Sequence, residues 1–395
     1  MKPVLEARLR FPDFKGTEYT LYSTSDFLTR HSTPVILKED THYTEIGIRS
    51  WGKGIFHKQP VTSKDIGNKR VFWLEKNLFV VNIVFAWEQA VAATSVNEVG
   101  KIASHRFPMF EVAKDKADLS YIVYKFLTNR GKQLLELASP GGAGRNKTLG
   151  QKEFDNLKLY LPTPKEQQRI ADFITSVDTK ISQLTEKHRL LKEYKKGVMQ
   201  QIFSQQSRFK DNDGKAFPDW KTEAIGKYLE PYKELVPAST DLPILTSSRT
   251  GLYLQERSVI NDGDYGVVPL GYFTYRHMSD DLIFKFNVNR NYTRGAISKE
   301  YPVFKTVGMD TYFLETKLNE GHEFKRFAIQ QKQGGTRTRL YFKNLKELKL
   351  ALPCLAEQQK IAQFLQSIDN KIDSVADQIE QTKQFKKGLL QQMFV

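Results

Sequence analysis

The chain has 395 residues, of which 40% are hydrophobic, and it carries a formal net charge of +15 at pH 7. This size allows two or three globular domains, and the single cysteine, Cys354, excludes an intrachain disulfide framework and a cysteine-rich zinc site. The longest apolar run, 78–87, is too short to cross a bilayer and the N-terminus lacks a signal peptide's apolar segment, so we expect a cytoplasmic protein. The basic excess indicates a polyanionic partner; a basic solvated surface without such a partner is the alternative.

Residues 1–160 are predicted to form a first domain of mixed α/β structure. Alternating polar and apolar residues indicate a strand early in this domain, and an aromatic-rich apolar stretch follows that is expected to lie in its core. A helix and a glycine-rich turn come next, before a last short strand. The predicted elements are a strand at 44–50, the core stretch at 71–87, a helix at 119–136, the turn at 139–147 and a strand at 157–161.

A long helix is predicted over 161–204, because its apolar residues recur in alternating steps of four and three. Thr163, Pro164 and Glu166 predict its start, with a hydroxyl as N-cap, proline at the first helical position and a glutamate that completes a capping box. A 3.5-residue period is typical of a coiled-coil seam, and an amphipathic helix packed on a globular core is the alternative. The predicted seam residues are Ile170, Ile174, Val177, Ile181, Leu184, Leu191 and Val198.

Residues 205–351 repeat the layout of the first domain with little overall identity. A strand, a helix, a second glycine turn and a last strand are predicted in the same order. These elements fall at 282–288, 322–331, 334–339 and 348–352.

A second long helix is predicted over 352–395, and it repeats the first without a gap. Glu357 and Gly388 lie 191 residues after Glu166 and Gly197. We therefore predict an α+β protein built by tandem duplication, in which two mixed α/β domains are separated by two long helices that form an antiparallel coiled coil with pseudo-two-fold symmetry. Antiparallel pairing is expected because each domain enters its own helix at the N-terminal end. The predicted seam residues of the second helix are Ile361, Leu365, Ile368, Ile372, Val375, Ile379 and Leu389.

Motifs for catalysis and metal binding are missing. The stretch 47–54 approaches a P-loop, but Gly54 stands where that motif needs a serine or threonine. No two prolines are adjacent, which excludes the usual adenine-methyltransferase signature, and the seven histidines show no paired ligand spacing. The glutamates of the long helices are interpreted as solvated. We therefore expect no catalytic residue and no metal site.

Candidate DNA-contacting residues lie in basic, aromatic or glycine-rich loops. Arginine can make a bidentate contact with guanine in the major groove, and glycine-rich turns let the backbone approach a phosphate. The alternatives are a helix C-cap followed by a loop for the glycine turns, a structural ion pair for Arg276 and a simple turn for 289–292. The candidates are Arg49, Trp51, Lys53, Arg145 and Lys147 in the first domain, and Tyr275, Arg276, Asn289, Arg290, Gly334, Gly335, Thr336, Arg337 and Arg339 in the second.

The order of these units resembles the specificity subunit of type I restriction-modification enzymes over essentially the whole chain. The motifs that carry the resemblance are GGTR at 334–337, LP at 352–353 followed by EQQKI at 357–361, and the KKG and QQ-x-F endings of both helices. The stretches 46–54 and 273–276 are also similar, whereas the first glycine turn departs from the family form.

The resemblance implies a non-catalytic subunit whose two target-recognition domains each read one half of a bipartite, asymmetric site in double-stranded DNA. The helix pair is then expected to set the gap and to dock two modification subunits, which carry S-adenosylmethionine and methylate adenine at N6. Restriction subunits that use ATP and Mg are possible further partners, and no cofactor is expected on this chain. The alternatives are a self-contained DNA methyltransferase or nuclease with unrecognised motifs, and a non-catalytic coiled-coil scaffold.

Overall fold

The computed structural model describes residues 7–141, 147–255, 263–332 and 337–395. The chain divides into two compact units: unit 1 comprises the chain up to Glu186 together with Ala376–Val395, and unit 2 comprises Lys187–Val375. Each long helix therefore contributes one part to each unit. The predicted boundaries 1–160, 161–204, 205–351 and 352–395 follow elements along the chain, whereas the compact units divide both long helices.

The two long helices span Pro164–Phe203 and Leu355–Gln392. In unit 1, Lys386 Nζ on the second helix lies 2.6 Å from Asp178 Oδ1 on the first. In unit 2, Lys195 Nζ on the first helix lies 2.6 Å from Asp369 Oδ1 on the second. Because an early position of one helix meets a late position of the other in both units, the helices run antiparallel, which confirms the predicted arrangement.

The predicted seam residues face inward along both helices. Ile170 and Ile174 pack in one core with Tyr121 and Phe126 of the globular part of unit 1, so this end of the seam is also an interface with the domain. The first long helix thus pairs with the second helix, as predicted, and its first part also packs on a globular core, as in the alternative. Fully buried seam residues are Ile170, Ile174, Val177, Leu184, Ile361, Leu365, Ile368, Ile372, Val375 and Leu389, and partly buried ones are Ile181, Leu191, Val198 and Ile379.

Unit 1 is built from short antiparallel strands and short helices around one main core. Its four-stranded sheet has the order Leu28–His31, Met109–Val112, Phe79–Val81, Val91–Ala93. The other strands are Thr20–Ser23, His42–Tyr43, Ile46–Ile48, Ile55–His57, Val61–Thr62, Val71–Trp73, Ile102–Ser104 and Lys158–Leu161, and the short helices are Ser63–Ile66, Leu119–Leu127, Asn129–Leu137 and Gln151–Asp155, with 3-10 turns at Pro12–Phe14, Thr24–Asp26, Ala86–Glu88 and Val96–Glu98.

Unit 2 repeats this architecture. Its four-stranded sheet has the order Leu229–Pro231, Val303–Thr306, Phe273–Tyr275, Phe286–Val288. The other strands are Lys221–Ala224, Leu235–Val236, Leu245–Ser247, Leu252–Leu254, Tyr265–Pro269, Met278–Ser279, Arg294–Ser298, Thr338–Arg339 and Lys349–Leu352, and the short helices are Thr311–Glu320, His322–Gln330 and Phe342–Leu345, with a 3-10 turn at Ile225–Tyr228.

Three predicted elements differ from the structure. The strand predicted at 44–50 is confined to Ile46–Ile48, because the next residues form the tip of a hairpin. The single helix predicted at 119–136 is two helices, because the Thr128 hydroxyl accepts from the Gly131 backbone N–H at 2.9 Å and starts a new helix there. The strand predicted at 282–288 is confined to Phe286–Val288, since Leu282 has a φ of 64° in the left-handed region, which an extended strand cannot contain.

The start of each long helix is tied to its own unit by an ion pair between an arginine and a buried glutamate. Arg10 Nε and Nη2 donate to the two carboxylate oxygens of Glu166 at 2.6 and 2.7 Å, and neither side chain is exposed. In unit 2, Arg208 Nε and Nη2 donate to Glu357 at 3.2 and 2.8 Å. The interpretation of these glutamates as solvated was therefore wrong, because a guanidinium from the start of each unit compensates the buried carboxylate.

Candidate DNA interface

In unit 1 the candidate residues lie on a hairpin, here called the Arg49 hairpin, which consists of strands Ile46–Ile48 and Ile55–His57 and the tip 49–54. The tip is closed by a hydrogen bond from the Arg49 backbone N–H to the Gly54 carbonyl at 3.0 Å. The guanidinium of Arg49 lies 4.5 Å from the centre of the Phe56 ring, so a cation–π contact holds an exposed arginine at the surface.

Trp51 shapes the tip of this hairpin. Its φ of 62° lies in the left-handed region, and its backbone N–H donates to the Glu88 carbonyl at 2.8 Å. The Ser50 hydroxyl donates to the Glu88 carboxylate at 2.6 Å. Trp51 is 52% exposed, and Lys132 Nζ lies 5.2 Å from the centre of its ring. Two contacts with Glu88 thus hold the loop in place while leaving an aromatic face and a cation at the surface.

The remaining candidates of unit 1 extend this basic surface. Lys53 is exposed at the tip of the hairpin, and Lys147 Nζ lies 5.6 Å from the ring of Trp87, next to Glu88. Arg145 lies outside the described residues. The structure therefore brings Arg49, Trp51 and Lys53 together on one loop.

In unit 2, Tyr275 and Asn289 are both 0% exposed, which corrects their predicted contact with DNA. The Tyr275 hydroxyl donates to the Leu340 carbonyl at 3.0 Å, and burial raises the pKa of this phenol. The Asn289 amide donates to the carbonyls of Val268 and Tyr292 at 2.9 and 2.8 Å. Both side chains satisfy buried backbone groups, so they stabilise the domain and cannot reach a base. The turn considered for 289–292 is the better description.

Arg290 of unit 2 is held in an ion pair with Glu315 on the helix Thr311–Glu320. Its Nη1 donates to Glu315 Oε1 at 3.2 Å, and a second bond joins Nη2 to Oε2. Burial lowers the pKa of Arg290, but the hydrogen bonds to Glu315 and the negative charges around it together outweigh burial and raise the pKa above its ordinary value. Arg290 lines a pocket of about 330 Å³ with Tyr312 and Asp369, next to the second long helix.

Arg276 instead lies in a cleft of about 450 Å³, which we call the hydroxyl cleft. Arg276 is exposed, and none of the described carboxylates lies within ion-pair distance of it, so the alternative of a structural ion pair finds no support in that part of the chain. The cleft is lined by Thr246, Ser247, Ser248, Arg249, Thr250, Arg276, Met278, Ser279, Asp280, Ile283, Lys285 and Tyr301.

Two further candidates, Arg337 and Arg339, lie just before and within the strand Thr338–Arg339 and contact residues of the same cleft. Arg339 is paired with Met278 in an antiparallel register, and Arg337 Nε donates to Asp280 Oδ1 at 2.9 Å. Gly334, Gly335 and Thr336 lie outside the described residues. The structure thus places Arg276, Arg337 and Arg339 around one turn.

Sequence reasoning missed Arg249, which projects from the hairpin formed by strands Leu245–Ser247 and Leu252–Leu254, here called the Arg249 hairpin. Arg249 Nη2 donates to Asp281 Oδ1 at 2.7 Å, and Ser279 donates to the same oxygen at 2.9 Å. The hydrogen bond from Ser279 lowers the pKa of Asp281 most, and the bonds from the Ile283 backbone N–H and from Arg249 lower it further. A Ser-Ser-Arg-Thr-Gly stretch between two alternating runs was the available hairpin signal.

The comparison with protein families decides the identity of the chain. The family model of the type I restriction modification DNA specificity domain matches residues 31–193 and 289–384, which is more than half of the chain. The chain belongs to this family. The predicted role as the DNA specificity subunit of a type I restriction-modification system is thereby confirmed, and the alternatives of a self-contained methyltransferase, a nuclease or an unrelated scaffold are not supported. As a specificity subunit, the chain is not the catalytic component of such a system.

Individual proteins of this family show the same relationship. The putative type I restriction enzyme MjaX specificity subunit of Methanocaldococcus jannaschii is 21% identical over 312 residues, covering 70% of this chain and 67% of that protein. The type I restriction enzyme MjaVIII specificity subunit of the same organism is 25% identical over 271 residues, covering 61% and 62%. The crystal structure of a type I restriction-modification S subunit from M. genitalium has the same fold, with a TM-score of 0.59, 11% identity and 99% of each chain covered.

The described residues of this specificity subunit contain no group of three or more His, Cys, Asp or Glu side chains that could hold a metal ion. Within the same ranges, no helix combines the length and the apolar content that crossing a membrane requires. The one cysteine, Cys354, is free and exposed.

Proposed function

We propose that each unit of this specificity subunit reads one half of a bipartite, asymmetric site in double-stranded DNA. The observation that carries the proposal is that each unit presents a basic surface at a hairpin tip, the Arg49 hairpin in unit 1 and the hydroxyl cleft beside the Arg249 hairpin in unit 2. Lysines and arginines on such surfaces bind phosphates, and arginine and hydroxyl side chains can read base edges in the major groove.

The helix pair is proposed to set the gap between the half-sites and to dock two modification subunits. Tyr194 and Phe385 support two equal docking positions, because they lie 191 residues apart in the repeat and each residue is 53% exposed. A large aromatic exposed at the same position of both helices is suited to contact two copies of one partner.

S-adenosylmethionine, and in a restriction complex ATP and Mg, are proposed to bind the partner subunits. The chain itself is then expected to bind no cofactor and to act in the cytoplasm with the DNA that it recognises. Methylation of adenine at N6 is accordingly assigned to the modification subunits.

Methylome sequencing tests this proposal directly. Cells that express the chain together with its modification subunit should show methylated adenines in one asymmetric motif with two specified halves and an unspecified gap. The chain expressed alone should give no methylation. Methylation by the isolated chain, or a continuous motif without a gap, contradicts the proposal.

Matched insertions test the proposed role of the helices. One heptad inserted after Glu186 and another after Asp377, which are equivalent positions of the repeat, should lengthen the gap by about 10 Å, or roughly three base pairs, at 1.5 Å per helical residue. A heptad in only one helix should break the pairing and abolish methylation. A gap that does not change with matched insertions contradicts the proposed role.

A further inference from the structure

We propose that Arg249 is a base-reading residue of unit 2, that its ligand is the major-groove edge of a guanine in double-stranded DNA, and that Asp281 positions it. The inference rests on the proposed function, since it assumes that unit 2 reads one half-site. It assigns the reading role to a residue outside the motifs that carry the family resemblance.

The first observation is that the Arg249 hairpin occupies the same place in unit 2 that the Arg49 hairpin occupies in unit 1. Each hairpin starts next to a strand of its own unit, with which it forms a parallel bridge, Glu45 to Ile102 in unit 1 and Ile244 to Ala296 in unit 2. The hydrogen bonds at the base of the two hairpins also correspond. In unit 1, Ile102 N donates to Thr44 O, and Lys58 N donates to Glu45 O. In unit 2, Ala296 N donates to Pro243 O, and Gln255 N donates to Ile244 O.

The second observation is that both hairpins carry an exposed arginine at the tip. In unit 2 the Ser248 backbone N–H donates to the Gly251 carbonyl at 2.9 Å, as Arg49 does to Gly54 in unit 1. The Ser248 hydroxyl also accepts from the Thr250 backbone N–H at 3.2 Å. This tight turn fixes the direction in which Arg249 leaves the backbone, and the side chain is 58% exposed.

Asp281 holds the guanidinium of Arg249 without using up its donors. The same Asp281 oxygen accepts from Arg249 Nη2 at 2.7 Å, from the Ser279 hydroxyl at 2.9 Å and from the Ile283 backbone N–H at 3.3 Å. Three donors thus fix the carboxylate. A guanidinium has five N–H donors, so the single bond to Asp281 leaves a pair of them for the O6 and N7 acceptors of guanine.

The walls of the hydroxyl cleft suit a nucleic-acid backbone. Arg276 and Lys285 are cations of the cleft, and Thr246, Ser248 and Thr250 bring hydroxyl groups to the hairpin side. Cations and hydroxyls of this kind contact phosphates and set the orientation of the protein on the duplex, which carries no sequence information by itself. Arg249 at the tip then supplies the sequence-dependent contact.

The test uses the full chain expressed with its modification subunit, with methylome sequencing and binding to DNA duplexes that carry single base changes as the readouts. Arg249→Ala should lower discrimination at one base pair of one half-site by about 5- to 150-fold and leave the other half-site unchanged. Arg249→Lys should lose the same discrimination, because an ammonium cannot make the bidentate contact. Asp281→Asn should relax the same base pair in part, which a purely structural role in folding does not produce.

Arg326→Ala is the matched control, because Arg326 is an exposed arginine on the helix His322–Gln330 of the same unit and its loss removes the same charge. It should leave the motif intact. The inference is overturned if Arg249→Ala weakens binding to all sequences equally or leaves the motif unchanged. A wild-type chain that yields no bipartite motif overturns the proposed function itself, and an intact unit 1 half-site in each variant shows that the chain has folded.

Discussion

Lys386 Nζ lies 2.6 Å from Asp178 Oδ1, and the same two positions of the repeat form the second ion pair, between Lys195 and Asp369. Each helix thus supplies the aspartate of one pair and the lysine of the other. A tyrosine from a neighbouring helix donates to each aspartate as well: Tyr124 to Asp178 at 2.9 Å, and Tyr312 to Asp369. These pairs match only when the helices run antiparallel in this register, so they select one pairing among those that an apolar seam allows.

Reversing one charge of the pair in unit 1 should destabilise the protein, and reversing both should restore it. Asp178→Lys places two ammonium groups together and should lower the free energy of unfolding by about 1–2 kcal/mol, since the side chains are only partly buried. The double variant Asp178→Lys with Lys386→Asp should recover most of this loss. Urea denaturation of the two single variants and the double variant measures the coupling, and additive losses would show that the pair does not interact.

Arg10→Ala should destabilise unit 1 by about 3–5 kcal/mol, because it leaves the buried carboxylate of Glu166 without its guanidinium. Adding Glu166→Gln should recover part of the loss, since a neutral amide costs less to bury. The comparison is Arg208→Ala in unit 2, which should cost less because Trp220 Nε1 still donates to Glu357 at 3.1 Å. Thermal denaturation of the variants ranks these losses of stability, and equal losses for Arg10→Ala and Arg208→Ala contradict the prediction.

Arg49→Ala should cost about 1–3 kcal/mol of binding free energy at a single base pair of the unit 1 half-site. Lys53→Ala, on the same loop, should instead weaken binding to all sequences by a similar factor, as expected for a phosphate contact. Binding to duplexes with single base changes at several salt concentrations separates the two effects. A uniform loss for Arg49→Ala would place that arginine on the phosphates.

Tyr275→Phe should lower the stability of unit 2 by about 1–2 kcal/mol and leave the target sequence unchanged. The substitution keeps the ring and removes the hydroxyl that satisfies the buried Leu340 carbonyl. Denaturation gives the stability and methylome sequencing gives the motif. A changed motif with unchanged stability would return Tyr275 to the set of DNA contacts.

Stability should rise with pH in the alkaline range because of Lys125, which is 1% exposed and donates to the Val395 carbonyl. Burial, and then the charge of Arg130, lower the pKa of Lys125 from 10.5 to about 8. Between pH 8 and pH 10.5 the Lys125 amine is protonated in the unfolded chain and neutral in the native state. The free energy of unfolding therefore increases with pH in this range, by at most about 3 kcal/mol. The difference between wild type and Lys125→Met in urea denaturation from pH 7.5 to 10.5 isolates this group; a difference that does not vary with pH contradicts it.

Local periodicity made the long helices, their seam and the duplication predictable. The steps of four and three between apolar residues depend only on helix geometry, and the constant spacing of 191 residues revealed the repeat. The burial of Glu166 in an ion pair was not predictable in the same way. Its partner Arg10 lies 156 residues earlier in the chain, and a helix pattern carries no information about so distant a contact.

The candidate site was predictable only where its residues lie close together in the sequence on one loop. Arg49, Trp51 and Lys53 are close in sequence and lie together on a hairpin tip. The prediction that Tyr275 and Asn289 contact DNA was wrong, because the sequence does not show whether a polar side chain lies next to a buried backbone carbonyl that it can bond. Satisfying such a group is a property of the packed sheet, which no short motif records.

The division of unit 1 between two distant parts of the chain has a consequence for its synthesis on the ribosome. Unit 2 is continuous in sequence and can close as soon as Val375 has emerged, whereas the core of unit 1 still lacks Leu389, Met393 and Phe394. The ring of Phe394 stacks on Tyr121 at 4.9 Å, so that tyrosine stays uncovered while all of unit 2 is translated. A nascent chain that has emerged as far as Val375 therefore carries a complete unit 2 and an incomplete unit 1, whose exposed apolar surface chaperones and proteases can bind.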